Sequence, residues 1–253
     1  GKTVVPGFID AHCHLEMTCL ALEQCVQVHT PPMKSLAEIT DALRRAVADA
    51  PGGAWVIGRG SFALASKVQE GRLFAREELD AVSTRHPVVV YSGFHVAMLN
   101  TMAFKELGLW ERACNPPNGV FIHRDQLGRP SGVATEIWDL LPPFSFDDTR
   151  RALRKRVVEL FVSQGVTSAY TIPYAGHDVR AIQKLQSVGD FPLRIRTYYH
   201  VPKLMSLDAV LATGLQSGFG NDMLRFGGVK IFVNGISNDG MGNPWPDYKR
   251  SQE

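Results

Sequence analysis

The sequence predicts an α/β protein whose strands run parallel, and three observations predict it. From about residue 146 onward the chain reads helix, strand, helix, strand, helix, strand, the alternation that βα units leave around a parallel sheet. An apolar run at the start, Val4-Val5-Pro6-Gly7-Phe8-Ile9, adds an opening strand. A chain of 253 residues, 45% of them hydrophobic, is long enough to bury a substantial core. Four parallel strands are therefore expected, half of an eight-stranded barrel or a small doubly wound sheet.

Taken in order, the opening strand ends in His12-Cys13-His14, and roughly 120 residues separate it from the second strand, far more than a βα connection needs. An inserted subdomain is expected there. Ser35 and Glu38 form a capping box for a helix from Ser35 to Ala50, with Leu36, Ile39, Leu43 and Val47 as its stripe and Pro51-Gly52-Gly53 as its stop. Pro87-Val88-Val89-Val90-Tyr91 reads as a strand, and Gly119-Val120-Phe121-Ile122 and Gly132-Val133 as hairpin arms around a polar turn. A helix from about Asp147 to Gln164 carries Leu153, Val157, Leu160 and Phe161 on one face, with Gly165 as its cap. Another, His177 to Val188, ends at Gly189. Strands Val166 to Ile172 and Leu193 to Val201 follow them, and a helix around Ser206 to Thr213 leads to a strand from Leu224 to Val233. The expected organisation is residues 1–19 as first strand and histidine motif, 20–145 as insertion, and 146–253 as the remaining βα units. An insertion on the C-terminal side of barrel strands would act as a lid. Both ends of the chain read as cut rather than finished.

A net charge of +2, with Lys and Arg spread along the chain, argues against nucleic acid or an anionic membrane as partner. No run of 18 or more apolar residues and no signal peptide is found, so the cytoplasm is the default location. Cys13, Cys19, Cys25 and Cys114 make no Cys-x-x-Cys pair and read as reduced, mostly buried thiols. The expected partner is a small-molecule substrate, with a homo-oligomer left open.

His12 and His14 are the most informative residues. Two residues apart on a strand, they project to one face while Cys13 points to the other, which is how one strand offers two neutral nitrogen ligands to a metal. The bland alternative is a strand end with two solvated histidines. Lys230, inside the apolar Gly227-Gly228-Val229-Lys230-Ile231-Phe232-Val233, is the second unusual residue, because lysine is rarely buried unless paired. A buried ammonium favours its neutral form, and a neutral amine can take up carbon dioxide to give a carbamate, an anionic ligand able to bridge two ions. Its alternative is a strand-end lysine reaching solvent or a carboxylate. Catalytic groups of barrels come from the C-terminal ends of different strands, so these three would converge.

At this point the sequence resembles the amidohydrolase superfamily, most closely the family 3 amidohydrolases that include N-substituted formamide deformylases. The residues that carry the resemblance are Pro6-Gly7-Phe8-Ile9-Asp10-Ala11-His12-Cys13-His14, Gly165-Val166-Thr167-Ser168, and Val229-Lys230-Ile231-Phe232 with Gly235; Gly93-Phe94-His95 with Asn100, and Gly132-Val133-Ala134-Thr135-Glu136, match within the insertion. The resemblance implies a (β/α)8 metal-dependent hydrolase barrel, here its N-terminal half, with a large insertion after the first strand. It makes His12, His14 and Lys230, the last carboxylated, ligands of a divalent metal, zinc for preference, present as one or two ions. His95, Asn100 and Glu136 become substrate-binding candidates, although Glu136 could equally cap a helix. The implied reaction is hydrolysis of a carbon-nitrogen bond, amide-like and not a peptide, through a metal-bound hydroxide. A deaminase or phosphotriesterase-type hydrolase on the same barrel, or a non-catalytic fragment, are the alternatives. Asn234 departs from the family's aspartate, and the family's later histidines and its general-base aspartate have no counterpart up to Glu253. His123 and Arg124 read as solvated hairpin residues and Asp239 as a loop former, while His200, ending the third strand, could reach the site from the inward face or equally take a neighbouring or core role.

Overall fold

The computed structural model describes residues 1–110, 116, 120–137 and 140–231. These fall into two compact units, one from residues 1–23 and 143–231, the other from residues 24–142.

In chain order the elements are β1 (Phe8–Cys13), α1 (Leu15–Gln24), β2 (Val26–Gln27), α2 (Leu36–Asp49), β3 (Val56–Gly60), α3 (Leu64–Lys67), α4 (Arg76–Asp80), β4 (Val88–Ser92), β5 (Val96–Leu99), α5 (Thr101–Glu106), β6 (Phe121–Arg124), β7 (Pro130–Thr135), α6 (Phe146–Leu160), β8 (Val166–Thr171), α7 (Gly176–Ser187), β9 (Arg194–Val201), α8 (Leu207–Ala212) and β10 (Leu224–Ile231).

The first unit holds a four-stranded sheet in the order β1-β8-β9-β10, and every pair in it is parallel. Each strand is reached from its neighbour through at least one helix, the connection that parallel strands need. Ser145 caps α6 by accepting from the Asp148 amide; the helix ends at Leu160, earlier than expected, and a 3-10 turn, Val162–Gln164, follows it, closed by Gly165 at φ 80°, where a Cβ would be strained. One face of the sheet is packed by helices: Leu15, Cys19 and Leu20 of α1, Leu153 and Val157 of α6, and Ile182 and Leu185 of α7 form a single core with Ala169 and Ile195. Each of these large side chains contributes about 1.5–3 kcal/mol by leaving water. Gly7 precedes β1 because a Cβ there would run into the Thr167 side chain.

The second unit holds a six-stranded sheet in the order β2-β3-β4-β5-β7-β6, parallel across β2, β3 and β4 and antiparallel beyond. Both of its faces are apolar. Leu36, Ile39 and Leu43 of α2 pack with Val56, Val88, Val90 and Met98 on one side, and Val89, Tyr91, Leu99, Phe104, Leu109, Ile122 and Ala134 pack on the other. Burial on both faces explains the unbroken Val88-Val89-Val90 run. Ser35 caps α2 as expected, its Oγ accepting from Glu38 N at 3.2 Å, but Glu38 Oε2 accepts from Lys34 N at 2.7 Å rather than from the Ser35 amide, so the reciprocal half of the box does not form.

Three elements differ from the sequence expectation. The insertion carries a sheet of its own, where one strand and a hairpin were expected; β2 is two residues long and β3 reads Val-Ile-Gly-Arg-Gly, so neither shows a strand period. Helix α1 follows the histidine motif directly, and its apolar residues pack with α6 and α7. His123 is half-buried against the Phe121 ring, 4.9 Å away, rather than solvated. Gly119, Cys114, the end of the strand beyond Ile231, Asn234, Gly235 and Asp239 lie outside the described residues. Among the described residues, no helix is long and apolar enough to cross a membrane.

Candidate metal centre

Strand parity decides which side chains meet. Cys13 is the register partner of Thr171, which is fully buried, and Cys13 itself packs against the helical core. Alternation then sends His12 and His14 to the opposite face. On β9, Ile195 and Thr197 are buried under the helices, so Arg194, Arg196, Tyr198 and His200 share the face of the two histidines. Lys230 is the register partner of His200, while its neighbour Val229 packs with Tyr199 on the helical side. His12, His14, His200 and Lys230 therefore stand on one face, at the C-terminal ends of β1, β9 and β10.

The His12 and His14 rings lie edge to face, 5.6 Å between centroids, close to the roughly 5 Å separating two imidazoles on one tetrahedral ion. His12 is exposed and His14 half-buried. Burial holds the His14 ring well below its ordinary value, at about 4, with the charges of His12, Lys230 and His200 adding to the effect. A neutral imidazole keeps its lone pair for a metal at neutral pH without competition from a proton. His200 is lowered by burial first and by Lys230 second. Tyr174 links the two strands, 5.2 Å from His14 and 5.6 Å from His200 between ring centroids, and Lys203 Nζ lies 5.5 Å over its ring. Among the described residues, no three of His, Cys, Asp or Glu stand close enough to cage an ion. The nitrogen donors gathered on this face are the histidine pair, Lys230 and His200.

Behind the motif, Glu16 is almost completely buried. Its Oε2 accepts from Thr171 Oγ1 at 2.8 Å, and burial, reinforced by Asp178, pushes its carboxyl up to about 7. Cys13 is likewise pushed up by burial to about 12, an inert core thiol as the sequence implies.

The three candidates from the insertion belong to the second unit and divide among themselves. His95 Nδ1 and Glu136 Oε1 are 2.8 Å apart, both part-exposed, and the Glu136 amide donates to the His95 carbonyl at 3.0 Å. Glu136 holds φ 58°, a left-handed conformation that costs a non-glycine residue about 1–3 kcal/mol and concentrates at functional positions. It caps no helix. Asn100 requires a correction: it is fully buried, its Oδ1 accepts from the Val88 and Ala103 amides, and its Nδ2 donates to the Ser83 and His86 carbonyls. With two bonds at each end of the amide, nothing remains to bind a substrate.

For His200 the sequence leaves two roles open, reaching the site from the strand end or sitting beside it in the core, and the β9–β10 register puts it next to Lys230. Tyr174 and Lys203 gave no sequence signal, since each sits in a loop after a strand. Among solved structures, two metal-dependent hydrolases are similar. One from Pyrococcus furiosus is 26% identical with a TM-score of 0.58, covering 91% of this chain and 44% of that one; one from Pyrococcus horikoshii OT3 is 24% identical with a TM-score of 0.56, covering 91% and 43%. An N-substituted formamide deformylase from Arthrobacter pascens is 29% identical over 249 residues, 92% of this chain and 45% of that protein. The chain spans about half the length of the curated relatives it matches. The amidohydrolase family model matches residues 1–245, and the chain belongs to that family, in its third branch.

Proposed function

We propose that this chain supplies the metal-binding half of a (β/α)8 hydrolase that cleaves carbon-nitrogen bonds of small, amide-like, non-peptide substrates. What supports the reading is the convergence of His12, His14 and Lys230 on one face at the C-terminal ends of parallel strands, where barrel enzymes keep their chemistry. The formamide deformylase among the relatives acts on a bond of this type by name. His12 and His14 would hold one divalent ion, zinc for preference, through neutral nitrogens. Lys230, as a carbamate, would give an anionic oxygen and could bridge to a second ion. Such an ion brings the pKa of a bound water to near neutrality and polarises a carbonyl.

The chain's own residues have separate tasks. Burial keeps His14 unprotonated, and the ring of Tyr174 packs against both His14 and His200, limiting how far either can turn. In the second unit, His95 and Glu136, paired with each other at 2.8 Å, are assigned to orienting the substrate's amide, Glu136 from a left-handed backbone conformation. A soluble cytoplasmic setting is part of this proposal.

The experiment is a product assay of the purified full-length polypeptide on a panel of formamides, acyl amino acids, nucleobase amines and phosphotriesters. The reading expects release of amine from the first two classes, abolished by chelator and restored by zinc. Turnover of the third class alone would assign a deaminase, turnover of the fourth a phosphotriesterase, and turnover of none, with metal bound, a non-catalytic chain.

A further inference from the structure

His14 sits at a junction of one residue: strand β1 ends at Cys13 and helix α1 begins at Leu15. The His14 carbonyl accepts from the Thr18 amide at 2.9 Å, which makes His14 the N-cap of α1. An N-cap side chain ordinarily accepts from an amide of the first turn, because those amides have no partner inside the helix. Here alternation turns the ring to the open face of the sheet, where it packs against Tyr174. The neighbouring strand supplies the acceptor instead. Thr171, at the end of β8, accepts from the Leu15 amide through Oγ1 at 3.1 Å. Its hydroxyl proton goes to Glu16 Oε2 at 2.8 Å, and a hydroxyl has only one to give, so its lone pairs are what face Leu15. On the other side of His14, the Cys13 carbonyl accepts from the Ile172 amide at 3.3 Å. The peptide groups before and after the histidine are therefore both tied to the end of β8. Thr171 and Leu15 are fully buried and Glu16 is 2% exposed, so water does not compete for these bonds.

We infer that Thr171 is a positioning residue for metal binding: its hydroxyl, oriented by Glu16, takes over the capping of α1 and fixes the backbone from which the His14 ring is aimed. The inference rests on the metal-centre reading above. A His14 ring that capped its own helix would turn away from His12 and spend a nitrogen lone pair on an amide. Capping from β8 leaves that lone pair to an ion. Without the hydroxyl the Leu15 amide stands buried and unmet, and the first turn of α1 must shift to find an acceptor, carrying His14 with it. A ligand on a backbone that can shift loses its fixed distance from His12, 5.6 Å between ring centroids, and a shared ion needs that distance held.

The test uses the full-length polypeptide and compares Thr171→Val, which keeps the shape and loses the hydroxyl, with Thr171→Ser, which keeps the hydroxyl. Leu185→Ala is the control, a buried core residue near the end of α7 and so at the opposite edge of the sheet from His14. The zinc dissociation constant is read by competition with a chromophoric chelator, at a temperature where every variant is folded. Thr171→Val should weaken zinc by about tenfold or more, whereas Thr171→Ser and Leu185→Ala should stay within about threefold of the parent. Leu185→Ala should nonetheless lower Tm, because it opens a cavity. A parent-like constant in Thr171→Val, with only its Tm lowered, would make Thr171 a structural residue and overturn the inference. A loss in Thr171→Ser or Leu185→Ala as large as in Thr171→Val would overturn it as well. The metal-free polypeptide gives a reading that does not depend on the ion. In NMR spectra of histidine-labelled protein, the His14 ring signals, assigned by their absence in His14→Gln, should move or broaden in Thr171→Val and keep the parent's positions in Thr171→Ser. A parent that binds no zinc would sink the metal-centre reading alone, whereas ring signals unaltered in Thr171→Val would sink the positioning role.

Discussion

The two sheets of this protein differ in what they do with the face that needs no helix. In the second unit both faces are filled with apolar side chains, and its most buried amide, Asn100, spends every donor and acceptor on backbone groups. In the first unit helices cover one face, and the other carries His12, His14, His200, Lys230 and the arginines of β9, Arg194 and Arg196. The difference teaches where chemistry can reside: a polar group whose bonds are all made to the backbone around it is structure, and nitrogen donors gathered at strand ends on a face that helices do not cover are candidates for function.

Replacing Asn100 is the largest expected blow to that contrast. Asn100→Leu would leave the Val88 amide and the Ser83 and His86 carbonyls buried without partners, a loss of about 4 kcal/mol or more. Chemical denaturation measures it. A metal content unchanged at permissive temperature would keep Asn100 on the structural side, and a mild effect on stability with a large one on substrate binding would erase the distinction.

Glu16→Gln should act in the opposite sense. Because burial raises its carboxyl from 4.5 to about 7, the folded state holds a proton that the unfolded chain has released. The stability this gives is present below pH 4.5 and lost as pH rises to about 7. The amide cannot ionise, so the variant should match the parent at pH 4.5 and exceed it by up to about 3 kcal/mol at pH 8. Equal stability at both pH values would show that Glu16 is not held protonated.

His14 gives the complementary slope. Its folded value lies below the free one, about 4 against 6.5, so the stability it contributes is present above pH 6.5 and lost as pH falls toward 4. Allowing for its partial exposure, the loss is about 2 kcal/mol. In the parent the rising Glu16 contribution masks it. In the Glu16→Gln background it should appear as a clear fall between pH 6.5 and 4.5, reduced when His14 is also replaced by Gln, the remainder coming from His200 and the other histidines that burial lowers.

The smallest effect on stability is expected at His95, whose bond to Glu136 is part-exposed. His95→Gln should cost about 1 kcal/mol or less while lowering turnover in the full-length polypeptide by tenfold or more. Unaltered turnover would return the pair to structure.

The sequence alone disclosed those parts of the molecule that obey a period. The helices α2, α6 and α7 and the strands β8, β9 and β10 were legible from stripes and glycine stops, and the histidine pair from its two-residue spacing on a strand end. Helix α1 gave no separate signal because it begins at Leu15, directly after His14, with no turn or glycine to mark its start. The insertion's sheet was missed because its strands are short and broken by glycine, and only pairing across them makes a sheet. Asn100 and His95 look alike in sequence as polar residues flanking one apolar strand. Burial, which no motif reports, separates them: Asn100 is fully buried and bonded, and His95 is part-exposed. His200 and Lys230 are thirty residues apart in the chain, and only the β9–β10 register puts them side by side.

The most direct test of the central claim is divalent metal content per chain, measured by elemental analysis after equilibration with zinc and removal of the excess. The account predicts stoichiometric metal in the parent and its loss in His12→Ala and His14→Ala, with the circular dichroism of each unchanged, and reduced content in Lys230→Ala. Metal retained at the parent's level in both histidine variants would contradict it.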